Sequence, residues 1–251
     1  GKGGSTATVA ATPAINLGID EDGALLTAKA ISAGRVRWSV HTCALLENGD
    51  VKCWGEGTNG RLGQGNEDDI GRGGGTATVA ATPAINLGID EDGASLTAKA
   101  ISAGELHTCA LLENGDVKCW GEGSGGRLGQ GNQTDIGSGT VSVAATPAIN
   151  LGIDEDGALL TAKAISAGKQ HTCALLENGE VKCWGKGNRG QLGQGDALDV
   201  GKGGSTATVA ATPAINLGTV GGAAAELRDT STPYGFFAKF DKDGKYQWVR
   251  Q

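Results

Sequence analysis

Histidine and cysteine are the residues of this chain whose types and spacing could do chemistry, and they occur together. His41 precedes Cys43 by two residues, and Cys53 follows ten residues after Cys43. A strand would point His41 and Cys43 to one face, so the three side chains could hold zinc. The alternative is a disulfide between the two cysteines. The spacing lacks the close Cys-x-x-Cys pair of a zinc knuckle and no fourth ligand is evident, so the disulfide is favoured.

The residues between the two cysteines predict a hairpin that would bring them together. Their Asn-Gly pair supplies the positive φ angles of a tight turn between two short hydrophobic runs. A type I turn with a glycine bulge at Gly49 sets Cys43 opposite Cys53, whereas a two-residue loop would shift the register by one. Opposed Cβ atoms lie about 4.5–5.5 Å apart, and a disulfide needs about 3.5–4.5 Å.

The stretch 41–55 returns at 107–121 without change and at 171–185 with one conservative substitution. Six cysteines allow fifteen connectivities, and the repetition removes most of that ambiguity. We therefore predict three local disulfides, namely Cys43–Cys53, Cys109–Cys119 and Cys173–Cys183. Each closes a short loop and contributes about 2.7 kcal/mol in the chain-entropy view. Because such bridges persist in oxidising surroundings, we expect an extracellular or cell-surface protein.

The sequence predicts no catalytic residue. A histidine that recurs at one position of every repeat, as do His41, His107 and His171, is typical of a structural hydrogen bonder. No serine or carboxylate recurs beside them at a position suited to nucleophilic catalysis. Three repeated tryptophans are expected to pack between neighbouring units, namely Trp54, Trp120 and Trp184. We therefore expect a protein that is not an enzyme.

The acidic segments 20–23, 90–93 and 154–157 resemble fragments of a calcium loop. They lack the spaced ligands and the distal glutamate of an EF-hand, so solvated turns are the simpler interpretation. The glycine-rich runs 71–75 and 201–204 lack the Lys-Ser/Thr ending of a phosphate loop and are interpreted as linkers. We expect no metal and no cofactor, with calcium at the acidic turns as the alternative.

Composition excludes several classes of protein. The 251 residues include 45 glycines and 4% aromatics, which suits many short strands joined by tight turns. A net charge of −7 is unlike that of a nucleic-acid-binding domain. No apolar run approaches 18 residues, so no membrane span is predicted. The chain begins with glycine and contains no methionine, and we expect a processed product or a piece of a longer chain.

Prolines mark a repeat of 64 to 70 residues, at Pro13, Pro83, Pro147 and Pro213. A period of this size indicates stacked supersecondary units. Within one unit the pattern predicts four strands: Ala14–Gly18, roughly Ala28–Ser32, and the two hairpin arms. Four antiparallel strands per unit are typical of a propeller blade. The predicted fold is therefore all-β, with repeated four-stranded antiparallel propeller-type blades, three complete and one degenerate.

Three motifs carry a family resemblance: Ala-Ile-Ser-Ala-Gly at 30–34, the hairpin at 41–55, and Arg-Leu-Gly-Gln-Gly at 61–65. In this order they resemble the repeat of the regulator of chromosome condensation family, most closely its cysteine-bearing form in secreted bacterial proteins. The resemblance covers residues 11–200 in three copies. It implies a β-propeller, usually of seven blades, and three blades with a remnant are too few to close such a ring.

The C-terminal part differs from the repeats. Residues 1–18 are identical to 201–218, and two aromatic-rich segments then flank an Asp-Gly turn at 243–244, which predicts a further hairpin. We therefore predict two domains, with three propeller-type repeats in 1–200 and a degenerate fourth blade or junction hairpin in 201–251.

The first repeat contains four extra residues between Gly34 and His41. They bring in Arg35, Arg37 and Trp38, which are residue types that are frequent at interface hot spots, and loops tolerate insertion where they carry function. We therefore expect this loop to be a contact site, and a neutral loop insertion or a cap on the first repeat is the alternative.

The function predicted from these features is a non-enzymatic extracellular protein that is structural or adhesive and works through protein–protein contacts. Unpaired ends of a repeat array can be covered by another copy, so self-assembly into a fibre or surface array is expected, with the chain itself or other surface proteins as partners. The alternative is a secreted propeller that binds or inhibits a soluble protein through its loops. The resemblance permits it, since relatives include a nucleotide-exchange factor for a small GTPase and a secreted β-lactamase inhibitor, but their contact residues cannot be transferred to this sequence.

Overall fold

Three copies of one antiparallel sheet follow each other in a computed structural model of the chain, which describes residues 13–34, 40–217, 237–240 and 246–249. Within each sheet the first strand pairs with the second and the second with the third. The strands are β1 (Ala28–Ala33), β2 (His41–Leu46), β3 (Val51–Gly55), β4 (Ala98–Ala103), β5 (His107–Leu112), β6 (Val117–Gly121), β7 (Ala162–Ala167), β8 (His171–Leu176) and β9 (Val181–Gly185). The predicted all-β fold of repeated antiparallel units is confirmed.

The hairpin of every sheet has the predicted bulged turn. Gly49 has a φ of 86°, a value that costs glycine little and other residues much. The Leu46 amide donates to the Asp50 carbonyl at 2.8 Å, and the Gly49 amide donates to the Leu46 carbonyl at 3.0 Å. In this register Cys43 lies opposite Cys53, as the turn type requires.

The predicted first strand of each repeat, Ala14–Gly18 in the first, does not form, so each sheet has three strands and not four. Its counterpart in the second repeat makes one backbone hydrogen bond to the preceding sheet, from the Ile85 amide to the Val51 carbonyl at 2.8 Å. The Pro83 carbonyl accepts from the Gln64 side chain instead of from a strand. Proline lacks a donor, and the segment bends at Gly88, where φ is 102°, so a continuous ladder cannot form.

Buried apolar side chains form one continuous core through all three repeats. The central strand of one sheet packs against the first strand of the next, β2 against β4 and β5 against β7. The largest fully buried apolar side chains are Trp120 and Trp184. The core therefore lies between successive sheets, and each repeat depends on its neighbours for burial.

The chain divides into two compact units, Gly1–Ile215 and Asn216–Gln251. In the second unit β10 (Phe237–Phe240) pairs antiparallel with β11 (Tyr246–Val249), so the predicted terminal hairpin has both of its strands. The predicted domain boundary after residue 200 stays a prediction. Among the described residues, no helix is long and apolar enough to cross a membrane.

Candidate functional site

A disulfide joins the central strand to the outer strand in every sheet. The pairs are Cys43–Cys53, Cys109–Cys119 and Cys173–Cys183, with Cα atoms 4.0, 4.0 and 4.1 Å apart. These bonds use the sulfur atoms that the zinc alternative would need as thiolates. No group of three or more potential metal-ligating His, Cys, Asp or Glu side chains occurs in the described ranges.

His41 connects the first repeat to the second. Its Nε2 lies 2.8 Å from the Thr108 hydroxyl, and that hydroxyl donates to the Arg61 carbonyl at 3.1 Å. A threonine hydroxyl has one proton to donate, so the imidazole Nε2 must be the donor towards it. In the tautomer assigned in this way, Nδ1 is a buried acceptor without a hydrogen-bond partner in the described part of the chain.

This environment keeps the imidazole neutral. Burial, followed by the nearby Arg61 guanidinium, lowers the pKa of His41 from 6.5 to about 4. Burial also lowers the pKa of His107, at the same position of the second repeat, well below its usual value. His107 Nε2 lies 2.9 Å from the Thr172 hydroxyl, which donates to the Arg127 carbonyl. The predicted structural role of these two histidines is confirmed.

Tryptophan uses the same carbonyl acceptors. The Trp120 indole donates to the Arg61 carbonyl and the Trp184 indole to the Arg127 carbonyl, both at 3.0 Å. Each carbonyl therefore accepts one indole and one hydroxyl, which together satisfy both of its lone pairs. The expectation that tryptophans pack between repeats is confirmed for Trp120 and Trp184, both fully buried.

The arginine side chains at these positions are buried with a glutamate beside them. Arg127 Nη1 lies 2.8 Å from Glu122 Oε2, and Arg61 Nη1 lies 3.8 Å from Glu56 Oε2. Burial lowers the pKa of both guanidinium groups, and the glutamates act in the opposite direction. The third repeat has Lys186 and Gln191 in place of this pair. Both junctions of the described residues therefore combine an accepting backbone carbonyl with an Arg–Glu pair.

A buried lysine on each outer strand donates hydrogen bonds to backbone carbonyls of neighbouring segments. The Lys52 ammonium donates to the carbonyls of Leu17 and Val79 at 2.7 and 3.3 Å, and Lys118 makes the same contacts with Leu87 and Val143. Burial lowers the pKa of Lys52 and Lys118. These ammonium groups are hydrogen bonded to the backbone, so their role is structural.

Backbone contacts complete both junctions between repeats in the same way. The Ala98 amide donates to the Gly49 carbonyl and the Ala162 amide to the Gly115 carbonyl, each at 2.8 Å. The fit is close, because a Cβ atom on Gly49 would lie 2.7 Å from the Thr97 side chain. The Ser32 hydroxyl also accepts from the amide of residue 103 at 2.9 Å, and Ser102 repeats this contact one repeat later.

The first repeat leaves one side of this junction uncovered. We call Ala28, Ile31, Thr42 and Trp54 the leading face. Thr42 and Trp54 are half-buried, whereas their counterparts in the second and third repeats are fully buried. Ile31 is 74% exposed, and Ala28 is exposed where Ala98 and Ala162 are buried.

The third repeat leaves the opposite side uncovered. We call Ser166, Cys173, Gly179 and Gln191 the trailing face. Cys173 and Gln191 are half-buried where the two preceding repeats bury the equivalent residues. No atom outside its immediate neighbours lies within 4 Å of a Cβ built on Gly179.

A cleft of about 460 Å³ lies at the leading face, lined by Trp54, Asp69, Gly71 and neighbouring residues. The equivalent position of the second repeat is filled by the loop 60–63 of the first. A Cβ on Gly60 would lie 2.3 Å from backbone atoms of residues 137–138, and one on Gly63 would lie 3.0 Å from the Trp120 indole nitrogen. The cleft is therefore the unfilled counterpart of an occupied site.

The remaining predicted sites are the contact loop and the acidic turns. Arg35, Arg37 and Trp38 lie outside the described residues, so the contact loop stays a prediction. In the first acidic turn Asp20 Oδ1 accepts from the amides of Asp22 and Ala24 at 3.1 and 2.8 Å. This carboxylate oxygen is therefore already occupied by the turn.

Sequence reasoning missed the partners of the histidine. Thr108 and Thr172 follow their own histidines directly and bind the histidine of the preceding repeat. Their signal was present, since a threonine follows each repeated histidine and an arginine recurs at positions 61 and 127. The repeat showed that these residues belong together without showing which repeat supplies each one.

Comparison with known proteins agrees with this architecture. The family model "Regulator of chromosome condensation (RCC1) repeat" matches residues 39–61, 98–127 and 162–191. The chain is 34% identical over 171 residues to the Ultraviolet-B receptor UVR8 of Arabidopsis thaliana, covering 67% of this chain and 32% of the relative. It is 30% identical over 157 residues to the E3 ubiquitin-protein ligase HERC2 of Homo sapiens, covering 62% and 3%.

Among solved structures, human WBSCR16 aligns with a TM-score of 0.53 at 15% identity, covering 92% of this chain and 53% of that one. This likeness concerns the fold alone. The chain spans about a third or less of the length of these two sequence relatives.

Proposed function

Because the chain carries three repeats of the regulator of chromosome condensation family, we propose that it is a non-enzymatic extracellular protein that works through protein–protein contacts and associates with itself. The observation that carries the proposal is the reuse of one junction. The same hydroxyl, indole and carbonyl groups join the first repeat to the second and the second to the third.

The chemistry of the junction supports a structural role. The histidines, arginines and lysines with lowered pKa lie buried and hold neighbouring segments together. A group that cannot reach a substrate cannot act on one. The proposal involves no cofactor and no metal. The activities in the names of the relatives belong to proteins much longer than this chain.

The three disulfides support the extracellular part of the proposal. Each disulfide joins the two strands of a hairpin whose register sets the two cysteines opposite each other. Disulfides of this kind persist in oxidising compartments. Titration of free thiols in protein taken directly from its source tests this part. We expect no reactive thiol before reduction and six after it, whereas six free thiols in the native protein would contradict an extracellular location.

Negative-stain electron microscopy of the natively isolated protein, with particle mass measured alongside, tests the structural function. Filaments or arrays with the repeat of one chain are the expected result. Single particles with the mass of one chain at every concentration would contradict it and would favour the second function.

The second function is recognition of a soluble protein through loops. One observation favours it: the acidic turns of the first and third repeats are flanked by exposed apolar residues on both sides. Ile19 and Leu25 flank the first turn and Ile153 and Leu159 the third, all more than 60% exposed. The contact loop predicted at Arg35, Arg37 and Trp38 is a second feature that this function would use. Replacing residues 35–40 by the Glu-Leu of the second repeat should abolish target binding and leave folding unchanged if this function holds.

A further inference from the structure

We propose that the leading face of one copy binds the trailing face of a second copy, so that copies join head to tail through a junction of the internal type. This inference rests on the proposed function and gives it a surface and an orientation. The partner is another copy of this chain, because each open face contains the groups that an identical repeat satisfies inside the molecule.

The hydrogen-bonding groups of the two faces are complementary. Inside the chain, Thr108 and Trp120 donate to the Arg61 carbonyl. On the leading face, Thr42 and Trp54 are the matching donors, and neither side chain has a hydrogen-bond acceptor among the described residues. On the trailing face, the Gln191 carbonyl is the matching acceptor. Replacement of arginine by Gln191 leaves the acceptor in place because the acceptor is a backbone atom.

The backbone offers two further matched pairs. Ala98 donates to the Gly49 carbonyl and Ala103 to the Ser32 hydroxyl in the first junction. Across the proposed contact, the donors are the amides of residues 28 and 33. The acceptors are the Gly179 carbonyl and the Ser166 hydroxyl, and Ser166 is exposed on β7.

The shapes of the faces also match. The loop 60–63 of the first repeat fills the site beside Trp120, and the cleft of about 460 Å³ beside Trp54 is the same site without its loop. The loop that would enter this cleft is 190–193 of a second copy. Around Gly190, as around Gly179, no described atom outside the glycine's neighbours lies within 4 Å of an added Cβ, so these two glycines are open to a second copy in the part of the chain that the structure describes.

Charged side chains replace one amide contact of the first junction. There the Asn59 amide donates to the Asp135 carboxylate at 3.0 Å. The positions equivalent to these two on the open faces hold Arg189, which is exposed, and Asp69, whose Oδ2 already accepts from Arg72 at 2.9 Å. Arg189 would therefore meet an existing ion pair, and the proposal rests on the hydrogen-bonding groups and the shapes of the two faces.

A contact between two different faces is heterologous, and this predicts a behaviour that other arrangements do not share. A variant with a blocked leading face cannot bind itself, and neither can one with a blocked trailing face. An equimolar mixture of the two must form a heterodimer and stop there, because each partner retains one intact face.

The variants are Ile31→Lys for the leading face and Ser166→Lys for the trailing face. Both positions are exposed strand sites, so the substitutions leave the folded repeat intact. Leu25→Lys is the control, because Leu25 and its counterpart Leu159 are 72% and 70% exposed and neither junction covers this position. Far-ultraviolet circular dichroism and the melting temperature verify folding of each variant.

Sedimentation velocity over a range of concentrations of the full oxidised chain measures the outcome. We expect wild type and Leu25→Lys to associate, each face variant alone to associate at least about tenfold more weakly, and the mixture to give a heterodimer. Association of both face variants like wild type would overturn this inference and leave self-association standing. A wild type that stays monomeric would overturn both.

Discussion

The second repeat and the first repeat have the same hairpin sequence and very different surroundings. Trp120 is fully buried and donates to the Arg61 carbonyl, whereas Trp54 is half-buried at an open cleft. The two tryptophans occupy the same position of the outer strand, in β3 and β6. The difference shows that burial in this molecule is supplied by the neighbouring repeat, as expected of a one-dimensional array.

Truncation of the two tryptophans should give the largest effect and tests this comparison directly. Trp120→Ala should lower the free energy of unfolding by about 3–5 kcal/mol, because it removes a fully buried aromatic side chain and leaves a cavity. Trp54→Ala should cost less than half of that. Urea unfolding followed by circular dichroism measures both, with Trp184→Ala as a control expected to match Trp120→Ala. Equal losses for Trp54 and Trp120 would contradict the comparison.

The next test uses pH, because a covered junction keeps its histidine neutral. The pKa of His41 is about 4 in the folded chain and its ordinary value is 6.5. Between these values the unfolded chain binds a proton that the folded chain does not. The contribution of His41 to the free energy of unfolding should therefore be constant above about pH 7 and fall by about 3 kcal/mol as pH falls from 6.5 to 4.

Glutamine separates this effect from the titration of carboxylates. In the double variant His41→Gln/His107→Gln the side-chain amide can still donate to Thr108 and Thr172 but cannot titrate. The fall between pH 6.5 and 4 should be strongly reduced, while the free energy at pH 7 changes much less. A fall of the same size in the double variant would show that other groups cause it.

The smallest expected effect concerns the hydroxyl of the junction. Thr108→Val should cost about 1–2 kcal/mol, because it removes hydrogen bonds and leaves buried polar groups of His41 and Arg61 less satisfied. Thr42→Val changes the same position of the first repeat, where the described residues supply no hydrogen-bond partner for the hydroxyl, and should cost less than about 0.5 kcal/mol. Thermal unfolding of the two variants side by side gives the difference, and a loss at Thr42 as large as at Thr108 would refute it.

Local chemistry made much of the fold predictable. The Asn-Gly pair and the hydrophobic runs around it specify the bulged turn, and the turn specifies that Cys43 faces Cys53. These interactions lie within fifteen residues of each other, so one repeat contains all the information they need.

Contacts between repeats were not predictable in the same way. The segment Ala14–Gly18 reads as a strand, yet its counterpart at Ile85 makes a single bond to the sheet before it. His41 was assigned a structural role, but its partner Thr108 lies 67 residues away. A sequence of near-identical units cannot show which copy supplies a partner, because every copy offers the same residue.

The segment that follows each sheet donates one backbone hydrogen bond to the outer strand of that sheet. The donors are the amides of Ile85, Ile149 and Ile215. The structural unit is therefore out of phase with the unit read from proline to proline. This offset matters for a gene that gains or loses copies. Insertion or deletion of one whole period, at any point along the array, leaves every outer strand followed by a segment that can donate this hydrogen bond to it. The length of such an array can therefore change by whole repeats without a new kind of contact being required.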